Sequence, residues 1–365
     1  MKEILEHLLR RLIQIKSVSE NIPELTRIVD FVEEELKGVG DIFSRRYLVN
    51  NKPSIFYSFY NTYHPKILFV GHLDVVNGRD EDFIPRREGD LLYGRGSIDM
   101  KGSCAVMIEL IKALSREEEK PNVGFLFTTD EEVGSENGVK YLVEKEGIGG
   151  EFVIIPDGGE DFQLVTEGKG VFHVKIVARG VATHGSRVFL GENALDKLVQ
   201  IYTELKSHFH PEPCGDPEHW HNTINLGKIV GGDSVNRVPD YGEMYLDIRF
   251  VYPFTVKKIE ELVKGIVSKY EGVEYELIST GETVFTPQDN PYLIKYKRIA
   301  EEVLNRKLSF SKEHGATDGR FFSERGMPVL ITAPRGGNIH GNDEWVDLNS
   351  LEALFNIFFR FVKEK

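Results

Sequence analysis

Four short apolar runs punctuate the chain: "KILFV" (66–70), "VGFLF" (123–127), "FVIIP" (152–156) and "PVLIT" (328–332). They are unbroken by polar residues and too short for core helices, the pattern of strands buried on both faces of a parallel sheet. Helical periods lie between them. "PELTRIVDFVEEELKGVG" stops on glycine, "DMKGSCAVMIELIKALSREEE" starts at Asp99, and "NGVKYLVEKE" follows an acidic triplet. Strands alternating with helices predict an α/β domain with a mostly parallel sheet. The middle of the chain reads differently. "VFHVKIVARG" alternates like a half-exposed strand, and "GENALDKLVQIYTELKSHF" has helical period. Two strand-like runs, "NTINLGKIVGG" and "GEMYLDIRFVYP", come next, then the helix "TVKKIEELVKGIVSKYEG" and the strand "VEYELIST". The order β-α-β-β-α-β predicts a ferredoxin-like α+β domain. It is inserted over residues 170–283, dividing the α/β domain into 1–169 and 284–365.

A length of 365 residues, 41% of them hydrophobic, agrees with two domains and two cores. The net charge of −13 argues against nucleic acid and anionic membranes as partners. Cys104 and Cys214 are the only cysteines, too few for a disulfide scaffold and in keeping with a reducing cytoplasm. The opening "MKEILEHLLRRLIQI" is an amphipathic helix broken by charges and does not read as a signal peptide, and no apolar run is long enough to span a bilayer. A cytoplasmic location is expected.

The chemistry gathers where the apolar runs end. "KILFV" leads to His72 and Asp74, "VGFLF" to Asp130, Glu131 and Glu132, "FVIIP" to Asp157, and "PVLIT" through "APRGGNIHGND" to His340. The loop "LLYGRGSIDMKG" adds Asp99. Ligands of open α/β sheets bind beyond the carboxyl ends of the strands, so parallel neighbours would bring these groups to one crevice. Two histidines and three carboxylates exceed the needs of one zinc with an open position; they suit two zincs sharing a bridging carboxylate. One of the two adjacent glutamates can then bind metal while the other stays free as a general base. The residues alone leave open which.

"GHLDVV", "GRGSIDMKG", "TTDEEVGS", "PDGG" and "NIHGND", in this order, resemble the zinc-dependent M20 peptidase and deacylase family, and the inserted domain's "GVATHGS" and "GGDSVNRVPDYGEMYLDIRF" are similar to it too. The resemblance implies that His72 and Asp157 hold one zinc and Glu132 and His340 the other, with Asp99 bridging. Cobalt is a possible substitute. It implies Glu131 as general base and Asp74 as the partner that orients His72, with a cis peptide at Asp99–Met100. His184 becomes an oxyanion donor that reaches, in dimeric relatives, into the partner subunit's site. Arg249 and Asn236 become contacts for a substrate carboxylate, with the backbone of Gly336 and Gly337 ranked below them. Asp130 reads as structural.

The implied reaction is hydrolysis of the amide bond of a small N-acyl amino acid, by a homodimer whose inserted domain serves as lid and dimerisation element. Chain length favours the acetylornithine and succinyl-diaminopimelate deacylases. Asp157, where those deacylases usually carry glutamate, looks more like the aminopeptidase and dipeptidase branch acting on short peptides. A non-catalytic dimeric binding protein is the remote alternative, and it would be expected to lack a ligand or the base. One further loop, "HFHPEPCGDPEHWH", carries His208, His210, Cys214, His219 and His221. Its residue types suit zinc, but its spacing fits no compact ligand pattern, and a solvated or dimer-contact loop is expected.

Overall fold

The computed structural model describes residues 1–211 and 213–364. The chain forms two units, one of residues 1–167, 285–313 and 317–365 and the other of residues 168–284 and 314–316.

In the first unit the four apolar runs become the strands Ile67–His72, Val123–Thr128, Phe152–Ile155 and Val329–Ile331. All four are parallel: Ile67–His72 lies between Val123–Thr128 and Phe152–Ile155, and Val329–Ile331 pairs with the outer side of Phe152–Ile155. Every residue in them is buried, which explains runs without alternation. The in-register pairs His72↔Thr128 and Ile331↔Ile155 bring the carboxyl ends to one edge of the sheet. Among the described residues this sheet has nine strands.

An antiparallel hairpin, Phe43–Val49 and Lys52–Ser58, extends one side. Its turn rests on Asn50 and Asn51, at φ 46° and 64°, the left-handed conformation that a two-residue hairpin needs and asparagine tolerates. That dipeptide is the signal by which sequence reading could have found a hairpin it did not foresee.

The helix Lys101–Leu114 is buried along most of its length, packed with the helices Lys2–Gln14 and Leu348–Lys363. Lys101 has no surface at all; its Nζ donates to Leu12 O at 3.1 Å and Ile15 O at 2.8 Å, closing the carboxyl end of Lys2–Gln14. Burial pushes this amine down to about 7. Gly102 admits no side chain, because a Cβ there would lie 2.3 Å from Ser97 O.

The second unit has the predicted ferredoxin-like topology. Its strands are ordered Thr223–Gly231, Tyr241–Phe250, Gly170–Arg179, Val273–Gly281, all antiparallel. The helices Ala194–Lys206 and Val256–Val267 bury Leu198, Ile201, Ile259 and Val263 against Phe172, Val174 and Met244 in a core of their own.

Candidate metal centre

His72 ends its strand with a buried imidazole. Its Nδ1 is 3.0 Å from the backbone carbonyl of Asp74 and 3.5 Å from Asp74 Oδ1. A proton on Nδ1 donated to that carbonyl leaves Nε2 as the free lone pair, the arrangement that prepares an imidazole for metal. The Asp74 carboxylate does more than face the ring. It accepts the N–H groups of Glu131 and Glu132, each at 3.2 Å, and the hydroxyl of Ser19 at 2.8 Å. One buried aspartate therefore fixes the histidine loop relative to the acidic turn.

Asp99 lies between the two histidines. Its Oδ1 is 3.1 Å from His72 Nε2, and its Oδ2 is 3.0 Å from His340 Nε2. Asp157 Oδ2 lies 3.5 Å from His72 Nε2, and Glu132 Oε2 lies 3.1 Å from His340 Nε2. The five groups thus form two clusters, His72–Asp99–Asp157 and Asp99–Glu132–His340, with Asp99 common to both. Asp130 points away; it accepts the N–H groups of Asn137 and Gly138 at 2.8 and 3.0 Å, at the start of the helix Val139–Lys145. Ile98, Gly158, Ala333, Gly336 and Ile339 line a cleft beside Asp99 and Asp157.

His340 follows the last parallel strand by nine residues, and its position has a physical cause that was not foreseen. A small second sheet, Gly336–Gly337, Trp345–Asp347, Leu91–Tyr93 and Arg86–Glu88, ties its loop to the chain leading to Asp99. Glu344 locks the joint. Buried at 2% exposure, it accepts Arg95 Nη1 at 2.8 Å and the N–H groups of Gly96, Ile98 and Asp99 at 3.0 to 3.2 Å. Arg95 in turn donates to His340 O at 3.3 Å. Glu344→Gln would leave a buried guanidinium without its counter-charge and turn an amide toward backbone N–H groups, a class of change that costs about 3–5 kcal/mol. A lower melting temperature and weaker metal retention are expected; a variant melting like the wild type would disprove this role.

Burial, and then the negative charge of Asp99, pushes Asp157 up to about 6 and Glu132 up to about 7. The hydrogen bond to Asp99 leads the causes that push His340 up to about 9. Burial alone would lower His72, but its bonds to Asp157, Asp74 and Asp99 raise it well above the usual imidazole range. Without cations the cluster thus balances its charge with protons on imidazoles and carboxyls. The donor set fits dications, which prefer imidazole nitrogen and carboxylate oxygen and supply the positive charge otherwise brought by protons. Because those protons must leave before a metal enters, zinc affinity should rise as pH increases from about 6 to about 9, the span of the raised values. Competition with a chromophoric chelator across that range would measure it; a flat profile would contradict it.

The remaining predicted residues lie in the second unit. His184 Nδ1 faces Ser186 Oγ at 2.8 Å, and Gly185 N donates to Asn236 O at 2.7 Å, so His184 and Asn236 are on neighbouring loops. Arg249 is elsewhere, forked on Asp247 at 2.7 and 3.3 Å. Asp240 anchors the His184–Asn236 end, where Gly180 N donates to Asp240 O at 2.9 Å. From there to Arg249 is almost the whole Tyr241–Phe250 strand, roughly 30 Å of extended chain. The unit brings His184 and Asn236 together and does not bring Arg249 to them.

Residues 68–364 match the model of Peptidase family M20/M25/M40. The chain belongs to this family. It is accordingly a hydrolase of the amidohydrolase and metallopeptidase type. Among M20 relatives, the succinyl-diaminopimelate desuccinylase of Rickettsia typhi is 27% identical over 98% of this chain and 99% of its own length, and that of Dechloromonas aromatica is 25% identical over 100% and 99%. Among solved structures, aminopeptidase PepT from Bacillus cereus superimposes with a TM-score of 0.77 at 18% identity, covering 99% of this chain and 98% of the other. The M20 metallo-carboxypeptidase Sso-CP2 from Sulfolobus solfataricus gives 0.75 at 19% identity, covering 98% of each. YXEP of Bacillus subtilis, a dinuclear metal binding M20 peptidase, gives 0.68 at 15% identity, covering 99% and 97%. The peptide bond Asp99–Met100 is cis, as the M20 resemblance implies.

Proposed function

We propose that this M20 chain is a hydrolase with two zinc ions per chain that cleaves the amide bond of a small N-acyl amino acid. The carrying observation is Asp99, whose two oxygens face two different histidines, each with a further carboxylate beside it. In this reading His72 and Asp157 hold one ion, Glu132 and His340 the other, and Asp99 both. The ions, when bound, supply Lewis acidity to the amide carbonyl and lower the pKa of the attacking water. Glu131 takes the proton from that water and later delivers it to the leaving nitrogen. Asp74 keeps Glu131 and Glu132 in place through their N–H groups, His184 donates to the oxyanion, and Arg249 and Asn236 contact the substrate carboxylate.

Full-length similarity to the desuccinylases supports an N-acyl amino acid over a peptide. Asp157 and the peptidase neighbours keep dipeptides as the second reading. Initial rates of the zinc-loaded protein on N-acetyl-ornithine, N-succinyl-diaminopimelate and a dipeptide panel decide between them; turnover of dipeptides alone would overturn the first.

A cytoplasmic homodimer belongs to the same proposal, with residues 170–283 as its lid and dimerisation domain. The separation of Arg249 from the His184–Asn236 loops along the Tyr241–Phe250 strand supports it, since contacts with one small substrate are then more readily made by different copies. The second unit also exposes Phe189 at 80% beside Val188 and Leu190, and the edge strand Thr223–Gly231 turns Ile229 and Val230 outward. Open strand edges and contiguous apolar surface are the usual materials of a subunit contact. His184→Ala is expected to lose ~10²–10³ in kcat with metal still bound. Mixing it with Glu131→Gln under subunit exchange should restore part of the activity, since each mixed dimer has one complete site. No recovery despite proven exchange would refute donation across subunits.

A further inference from the structure

The loop joining the helix Ala194–Lys206 to the strand Thr223–Gly231 was expected to be a solvated or contact loop. The structure instead gathers three of its side chains. Cys214 Sγ is 3.1 Å from His219 Nδ1 and 3.0 Å from His221 Nε2, and the three donor atoms lie within 4.8 Å of one another. The ring of His210 stands 4.8 Å from that of His221, centre to centre.

The loop is built to hold this arrangement. Asp216 accepts the N–H groups of Glu218 and Trp220, both at 3.0 Å, forming a turn that carries His219 and His221 on one side. His219 takes φ 48°, in the left-handed region, within that turn. Lys169, itself buried, donates to His219 O at 2.9 Å and lies over the Trp220 ring. His221 is buried too, and its Nδ1 is 3.2 Å from Asn222 O. A proton on Nδ1 shared with that carbonyl leaves Nε2, the atom facing the thiol, unprotonated. A backbone carbonyl behind an imidazole is the usual support of a metal-ligating histidine.

We propose that Cys214, His219 and His221 form a further metal site, separate from the main centre and independent of how that centre is read. One thiolate and two imidazoles suit a borderline-soft dication, zinc above all. A tetrahedral zinc keeps S and N donors about 3.5 Å apart, so the two sulfur-to-nitrogen pairs need to spread by only about half an ångström to admit one. Binding releases the thiol proton to solvent. The metal would add a clip to the loop.

Cobalt separates this site from the main centre, because a thiolate-to-cobalt charge-transfer band in the near ultraviolet requires a sulfur ligand and the main cluster has none. The cobalt-loaded protein should show that band, Cys214→Ser should lose it, and Glu132→Gln should keep it. Cys214→Ser should also retain one equivalent of zinc per chain fewer than the wild type, whatever the main centre holds. If Cys214→Ser does not fold, His219→Ala is read in the same way. Absence of the band from the wild type, its persistence in Cys214→Ser, or equal zinc content in the two proteins would each overturn the site.

Discussion

Glu131→Gln is expected to keep its metal and lose its turnover. Glu131 opens the turn Glu131–Val133, its N–H held by Asp74 Oδ1 at 3.2 Å. Burial raises its carboxyl well above the usual range, reinforced by the charges of Asp318, Asp157 and Asp99 and opposed by His72. Asp318, buried and hydrogen-bonded to Ser135, escaped sequence reading altogether. A carboxyl buried beside the cluster and raised from its ordinary range is a stronger base than an exposed one, as proton abstraction requires. Glutamine keeps the shape and removes the proton acceptor, so kcat should fall by ~10²–10⁴ with metal content and KM little changed. Glu132→Gln should instead weaken one ion, because Glu132 is the carboxylate beside His340. Metal analysis with the opposite pattern would exchange the two roles.

Asp99→Asn is expected to damage both halves of the centre at once. An amide offers one oxygen and one NH₂ where the carboxylate offers two oxygens, yet Asp99 faces His72 with one oxygen and His340 with the other. One side must therefore meet a donor that cannot bind metal, and the whole cluster loses a negative charge. Both metal equivalents should be retained less well after dialysis, and hydrolysis should fall to background. Loss of one equivalent with the other held as firmly as before would show that Asp99 is not shared.

The main centre was legible because its residues follow parallel strands that buried apolar runs mark plainly. His72, Glu132 and Asp157 each sit within a few residues of a strand end, so locating the strands located the cluster. The choice between Glu131 and Glu132 rested on the M20 resemblance; the structure adds that Glu132 is the one beside His340. What failed to show was held by longer-range contacts. Glu344 and Arg95 look like surface charges in sequence, and their pairing spans 249 positions. The small sheet that carries the His340 loop consists of strands two or three residues long, too short for any period. Lys101 resembles a solvated residue at a helix start but is enclosed by a helix from the chain's beginning. The Arg249–Asn236 separation depends on strand direction, which residue identity does not report. His219 and His221 meet Cys214 through a turn made by Asp216, and no spacing rule anticipates that turn.

The central claim is a pair of metal ions joined by one aspartate, and diffraction from zinc-loaded crystals at the zinc absorption edge tests it most directly. Two anomalous peaks about 3.5–4 Å apart are predicted at the main cluster, one against His72 and Asp157, the other against Glu132 and His340, with Asp99 on both. A single peak there, or two peaks of which only one touches Asp99, would contradict the account.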